Sequence, residues 1–213
     1  MSVSDHQKFK PRSTEMDEYM KDRLDELKTF HSFAKDNNIK YSITCGTALG
    51  FLTIGRYFPW DDDIDITYSK VSYNTIKDLY NFGEPVNNIW KDSNWSFKKI
   101  KLNDNEYYFA RMGNKFKLIK DNFKDIQDIK KQCDLGGLDI FPEGVTGEIT
   151  DFLFPVETIQ FSGVETMFLS SRSYILELIK KYGDVKTWGR YLNDDECCIR
   201  NINAEKLIEK YKI

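Results

Sequence analysis

Two aspartates, Asp63 and Asp65, sit one residue apart in the run Pro59-Trp60-Asp61-Asp62-Asp63-Ile64-Asp65-Ile66. A charge run ordinarily forms a solvated loop. Here the acids alternate with β-branched Ile64 and Ile66, which favour a strand. Side chains on a strand alternate faces, so Asp63 and Asp65 share one face and both isoleucines take the other. At about 4 Å and an effective dielectric of about 20, two such carboxylates repel by roughly 4 kcal/mol. Protonation, a basic side chain or a cation removes that cost. Oxygen-only donors select a hard divalent ion, Mg2+ or Mn2+. Such an ion suits phosphate chemistry, where it neutralises developing charge. A third acid, Asp139, stands between apolar neighbours in Leu138-Asp139-Ile140-Phe141-Pro142. Such an acid needs a partner: taken alone it reads as a hydrogen-bonded buried residue or a strand-end turn, and taken with the other two it would reach the same ion from a neighbouring strand.

The elements that must position these groups are legible in outline. Ser13 or Thr14 caps a helix that runs to about Asp36, with Met16, Met20, Leu24, Leu27, His31 and Ala34 as its buried stripe. His31 reads as a packing residue of that helix. Asn37-Asn38 stops it. Ile39, Tyr41 and Ile43 alternate as a strand, which feeds Gly46-Thr47-Ala48-Leu49-Gly50, a glycine turn and a short helix. A helix start of this kind offers backbone N–H groups to anions, and Thr47 adds a hydroxyl. The acidic strand is expected over 61–68 and a helix over Val71–Tyr80. Short strands follow at Trp95–Leu102, Tyr107–Met112, Lys115–Ile119 and Leu138–Pro142, with a linker near 123–132. Helices are expected at Arg172–Tyr182, closed by Gly183, and at Ala204–Lys210, capped by Asn203. Residues 1–12 read as a flexible tail, and 13–213 as one catalytic domain. Trp90, Trp95, Tyr107 and Tyr108 read as packing aromatics. Lys98, Lys99, Lys101 and Arg111 read as a solvated strand face.

Composition limits the function classes. The 213 residues carry 31 Lys+Arg against 34 Asp+Glu, a net charge of -3, so no nucleic-acid partner is expected. Cys45, Cys133, Cys197 and Cys198 form no CxxC pair, and only His6 and His31 are present, so the cysteines read as reduced thiols and not as zinc ligands. The first thirty residues lack a signal peptide's apolar run, and no transmembrane segment is expected. The expected compartment is cytoplasmic.

Gly46-Thr47-Ala48-Leu49-Gly50 followed by Pro59-Trp60-Asp61-Asp62-Asp63-Ile64-Asp65-Ile66 resembles the signature of the LicD/fukutin family, within the nucleotidyltransferase-fold superfamily. Asp139-Ile140-Phe141-Pro142 resembles that family's second motif, and Tyr182-Gly183-Asp184 its C-terminal region. The resemblance implies an α+β fold, a nucleotidyltransferase-like mixed β-sheet flanked by helices. It implies a phosphotransferase that moves phosphocholine or a polyol phosphate from a CDP-type donor to a glycan or other hydroxyl acceptor. Asp63, Asp65 and Asp139 take the metal and catalytic role in this comparison. Gly46 and Thr47 take the phosphate side. By strand alternation Asp61 shares the face of Asp63 and Asp65 at the strand entrance, and it is expected on the substrate-binding side of the metal ligands. The family usually carries an arginine where this chain has Thr53, and nearby Arg56 is the substitute. Two other readings share the motif: a nucleotidyltransferase that attaches a nucleotide from an NTP to a small acceptor, and a non-catalytic binding or regulatory module.

Overall fold

The computed structural model describes residues 14–58, 61, 63–86, 94–121, 137–145 and 156–182. Outside them lie the expected N-terminal tail, Ser13, Trp60, Asp62, Trp90, the 123–132 linker, Gly183, Asp184 and the 204–210 helix. Cys133, Cys197 and Cys198 also lie outside.

In chain order the elements are α1 (Thr14–Asp36), β1 (Tyr41–Ile43), α2 (Cys45–Ile54), β2 (Ile64–Tyr68), a 3₁₀ turn (Lys70–Ser72) and α3 (Tyr73–Phe82). Then come β3 (Glu84–Pro85), β4 (Ser96–Leu102), β5 (Asn105–Met112), β6 (Lys115–Lys120) and β7 (Leu138–Pro142). The hairpin β8 (Val156–Phe161) and β9 (Val164–Leu169) precedes α4 (Arg172–Tyr182). Strands β1 to β7 form a seven-stranded sheet in the order β1-β2-β7-β6-β5-β4-β3. All its pairings are antiparallel except β2 with β7. The fold is therefore α+β, a mixed sheet flanked by helices.

Turn chemistry explains the meander from β4 to β6. Asn103 and Asp104 both take positive φ, 49° and 64°, the geometry a two-residue hairpin needs to match strand twist. Gly113 (φ 61°) turns β5 into β6. Asn38, at φ 52°, ends α1, and the Ile39 N–H bonds the Ala34 carbonyl at 2.8 Å.

Alternation divides the sheet into two faces. Ile64 and Ile66 of β2, Leu138 and Ile140 of β7, Phe116 and Leu118 of β6, and Tyr107 and Phe109 of β5 join one buried cluster. Helix α1 covers it with Met20, Leu27, Phe30 and Ala34, and α3 adds Ile76 and Tyr80. His31 packs as expected: its Nδ1 hydrogen-bonds the Tyr41 hydroxyl at 2.8 Å. The α1 stripe also buries an ionisable pair, Arg23 and Glu26, whose Nη2 and Oε1 stand 2.6 Å apart. Glu26 Oε1 accepts the Lys120 N–H at 2.7 Å as well. Burial pushes the Glu26 carboxyl up to about 8, against the pull of Arg23.

Two differences from expectation have simple causes. The acidic strand begins at Ile64 instead of at Asp61, because its ladder starts only where β7 supplies a partner: the Ile64 N–H bonds the Gly137 carbonyl at 3.1 Å. Asp61 and Asp63 therefore lie on the lead-in, with the Asp61 N–H turned back to the Phe58 carbonyl at 3.0 Å. The helix expected from Val71 starts as a 3₁₀ turn, which bonds the Ser72 N–H to Ser69, and becomes α-helical at Tyr73. The β8–β9 hairpin has no counterpart in the sequence reading. Its turn, Ser162 (φ 51°) and Gly163 (φ 82°), is again a two-residue one. It braces β1, since the Leu169 N–H bonds the buried Ser42 hydroxyl at 2.9 Å and Thr166 hydrogen-bonds Tyr41 at 3.0 Å. Among the described residues, no helix is long and apolar enough to cross a membrane.

A candidate metal centre on the sheet

The parallel register of β2 and β7 pairs Asp65 with Asp139. Parallel neighbours at one level point the same way and stand one strand spacing apart, about 4.8 Å. Their face is opposite the isoleucines that enter the core. Asp63, two residues upstream, completes the group: each of the three offers a carboxylate oxygen, and these atoms lie within 4.8 Å of one another. All three are partly buried. The next strand continues the row, because Lys117 on β6 pairs with Asp139. Its Nζ is 3.0 Å from Asp139 Oδ1. Burial raises the Asp139 carboxyl above the ordinary aspartate range, and Lys117 pulls against that rise.

Helix α2 locks this row from the side. Its residues are apolar nearly all round, with Ala48, Leu49 and Leu52 buried, which places the helix against the sheet. Gly50 permits the close return of the following chain: a Cβ there would stand 2.6 Å from the Arg56 carbonyl oxygen. The peptide of Asp65 is held at both ends. Its carbonyl accepts the Thr44 N–H at 2.9 Å, and its N–H donates to Thr47 Oγ1 at 2.9 Å. Thr47 is buried. Its hydroxyl oxygen thus joins α2 to the acidic strand, a role beyond the phosphate contact expected from sequence. Cys45, in no disulfide among the described residues, enters α2 at φ 50°, a left-handed turn that costs about 1–2 kcal/mol for a non-glycine residue. Asp61 lies against Gly46, its Oδ2 3.4 Å from where a Cβ would be. Arg56 is exposed in the connection after α2.

The basic residues noted in sequence divide between the faces. Lys98 donates to the Asn81 carbonyl at 2.9 Å, and Arg111 to the Tyr73 hydroxyl at 3.1 Å, both on the core face. Lys99, on the carboxylate face, is paired with Glu106 at 2.9 Å and Asp121 at 2.7 Å. Tyr107 is buried and bonded to Thr29. Sequence reasoning passed over Lys117. Its signal was a lysine at the centre of Lys115-Phe116-Lys117-Leu118-Ile119, but the register that faces it toward Asp139 is tertiary.

The donor set fits a hard divalent cation. It is all oxygen, closely spaced and partly desolvated, and Lys117 offsets one of its three negative charges.

Mixed sheet, clamped acidic strand and adjoining helix start all lie in a segment that matches a nucleotidyltransferase domain. Residues 38–168, more than half of the chain, match the family described as LicD/FKTN/FKRP, nucleotidyltransferase domain, and the chain belongs to that family. It is 33% identical over 57 residues to the lipopolysaccharide cholinephosphotransferase LicD of Haemophilus influenzae, a match that covers 27% of this chain and 22% of that protein. Among solved structures it is similar to an antigenic nucleotidyltransferase-like protein from Paracoccidioides brasiliensis. That likeness covers 90% of this chain and 75% of the other, at 13% identity and a TM-score of 0.40.

Proposed function

We propose that this chain is a divalent-metal-dependent phosphotransferase. It moves a phosphate-linked group, phosphocholine- or polyol-phosphate-like, from a CDP-type donor to a hydroxyl of a glycan or other acceptor. The observation that carries the reading is the Asp63, Asp65 and Asp139 cluster, with carboxylate oxygens within 4.8 Å of one another, inside the segment that matches the LicD family. The cholinephosphotransferase name of the matched Haemophilus protein supports the class of group transferred.

Asp63, Asp65 and Asp139 would hold Mg2+ or Mn2+, which when bound neutralises charge on phosphate oxygens. The chain's own residues do the positioning. Thr47 and Thr44 clamp the Asp65 peptide, so that carboxylate is fixed before any ligand arrives. The first turn of α2, at Gly46 and Thr47, offers backbone N–H groups and the positive end of a helix dipole to the donor's phosphates. The Asp61 carboxylate lies beside Gly46 at that turn. A nucleotidyltransferase acting on an NTP would use the same carboxylates and differ in the phosphorus attacked.

The test is a donor screen with acceptor glycans present: CDP-choline, CDP-ribitol and the four NTPs, with Mg2+ or EDTA, read by chromatography of released nucleotide. CMP release from a CDP-linked donor that stops in EDTA is expected. Pyrophosphate release from an NTP would favour the nucleotidyltransferase reading. Turnover that continues in EDTA would refute the metal role.

A further inference from the structure

The carboxylate row ends in a lysine that the fold takes trouble to hold. Lys117 is 9% exposed at its side chain. Its stem runs over Gly137, where a Cβ would meet Lys117 Cγ and Cδ at 3.0 Å each. Gly137 also has φ 150°, a conformation side-chain-bearing residues rarely adopt. Lys117 Nζ is also 6.0 Å from the centre of the Trp95 ring. The aliphatic stem thus lies against a glycine, and the ammonium, near the Trp95 ring, is delivered to Asp139. Neighbouring lysines are engaged elsewhere: Lys98 caps the end of α3, Lys99 is paired with Glu106 and Asp121, and Lys115 Nζ stands 5.0 Å from the centre of the Phe141 ring, adding only a weaker positive field at Asp139.

We propose that Lys117 is the resident counter-cation of the carboxylate cluster, which yields Asp139 to a divalent metal and turns its ammonium to the anionic phosphates of the donor. The proposal rests on the metal-centre reading above and adds a residue outside the family's acidic motifs. The reasoning is electrostatic. Metal and ammonium compete for Asp139, so Lys117 weakens metal binding in the absence of donor. Once displaced, a largely buried ammonium needs a new anion. A phosphate meets that need, as a compact lysine head with three donors suits it. Metal and donor therefore strengthen each other's binding through Lys117, and the coupling is reciprocal.

The test uses the whole chain, with Mn2+ as the metal and inorganic pyrophosphate as the anion. Calorimetry measures Mn2+ affinity with and without pyrophosphate for the wild type and Lys117→Met, which keeps stem length and removes the charge. Lys117→Met is expected to bind Mn2+ alone roughly tenfold more tightly, because the ammonium no longer competes with the metal for Asp139, a coupling of ordinary size. It is also expected to lose most of the strengthening by pyrophosphate. In EDTA it should melt below the wild type, and Lys117→Met with Asp139→Asn should recover that loss, because a charge is then removed from each side. A double variant that melts as low as the single one would make Lys117 a packing residue and overturn the proposal. So would unchanged Mn2+ affinity and unchanged coupling in Lys117→Met. Failure of the wild type itself to bind Mn2+ would overturn the metal-centre reading and this one with it.

Discussion

Replacing Thr47 by valine separates two roles for one hydroxyl. The substitution keeps the β-branched shape, so packing of α2 is preserved, and it deletes the acceptor of the Asp65 N–H at 2.9 Å. Thr47 is 1% exposed, so water does not replace the lost partner. An unsatisfied buried donor costs about 1–3 kcal/mol. For a chain of this length each kcal/mol moves Tm by about 2–4 °C, so a fall of roughly 2–12 °C is expected. The fall should appear in EDTA without donor, because the bond is internal to the fold. Thr47→Ser keeps the oxygen and should lose far less. The assay is thermal and urea unfolding followed by circular dichroism, paired with donor KM and kcat. If Thr47 served the donor phosphate alone, Thr47→Val would melt like the wild type in EDTA and change only KM. That result would refute the argument that α2 sets the position of Asp65.

Asp63→Asn and Asp65→Asn should each lower turnover by at least ~100-fold while the protein stays folded. In EDTA both should melt above the wild type, since each removes repulsion of roughly 3 kcal/mol per carboxylate pair at 4.8 Å and an effective dielectric of about 20. Asp139→Asn should lose similar activity but gain less in melting temperature, because Lys117 then loses the partner it holds at 3.0 Å; equal gains in differential scanning fluorimetry would contradict that ordering. Gly50→Ala places a Cβ 2.6 Å from a backbone oxygen, and backbone shifts of that kind cost about 1–3 kcal/mol, measurable as a lower urea midpoint. Glu26 gives a pH dependence. Its folded carboxyl is pushed up to about 8 by burial, so between about pH 4.5 and 8 the folded state binds more protons than the unfolded one. Stability should fall as pH rises through that window, by at most about 1.4 kcal/mol per pH unit. Urea titrations from pH 5 to 8 should show the slope, and Glu26→Gln should remove it.

Most local structure follows from short-range signals in the chain. The three- and four-residue spacing of Met20, Leu24, Leu27, His31 and Ala34 marks α1, whose bounds are Thr14–Asp36. Ile64 and Ile66 alternate with acids, and both lie in the core. Leu138–Pro142 and Arg172–Tyr182 carry the bounds expected of them, because apolar periodicity and Pro or Gly boundaries are local signals. The β8–β9 hairpin has a local signal too, in two matching runs around Ser162-Gly163. Other features had no local signal. Asp65 and Asp139 are 74 positions apart, and their pairing is set by a parallel register across the intervening meander. The position at which β2 starts depends on where β7 begins, so Asp61 and Asp63 became lead-in residues. Thr47 reads as a helix-start hydroxyl in sequence, and only the docking of α2 on β2 brings it to the Asp65 N–H. Lys117 looks like any strand lysine until β6 pairs with β7 and directs its ammonium to Asp139. Residue type and period are properties of a short stretch of chain. Which face meets which partner depends on strand register, and register is settled by burial of the whole sheet at once.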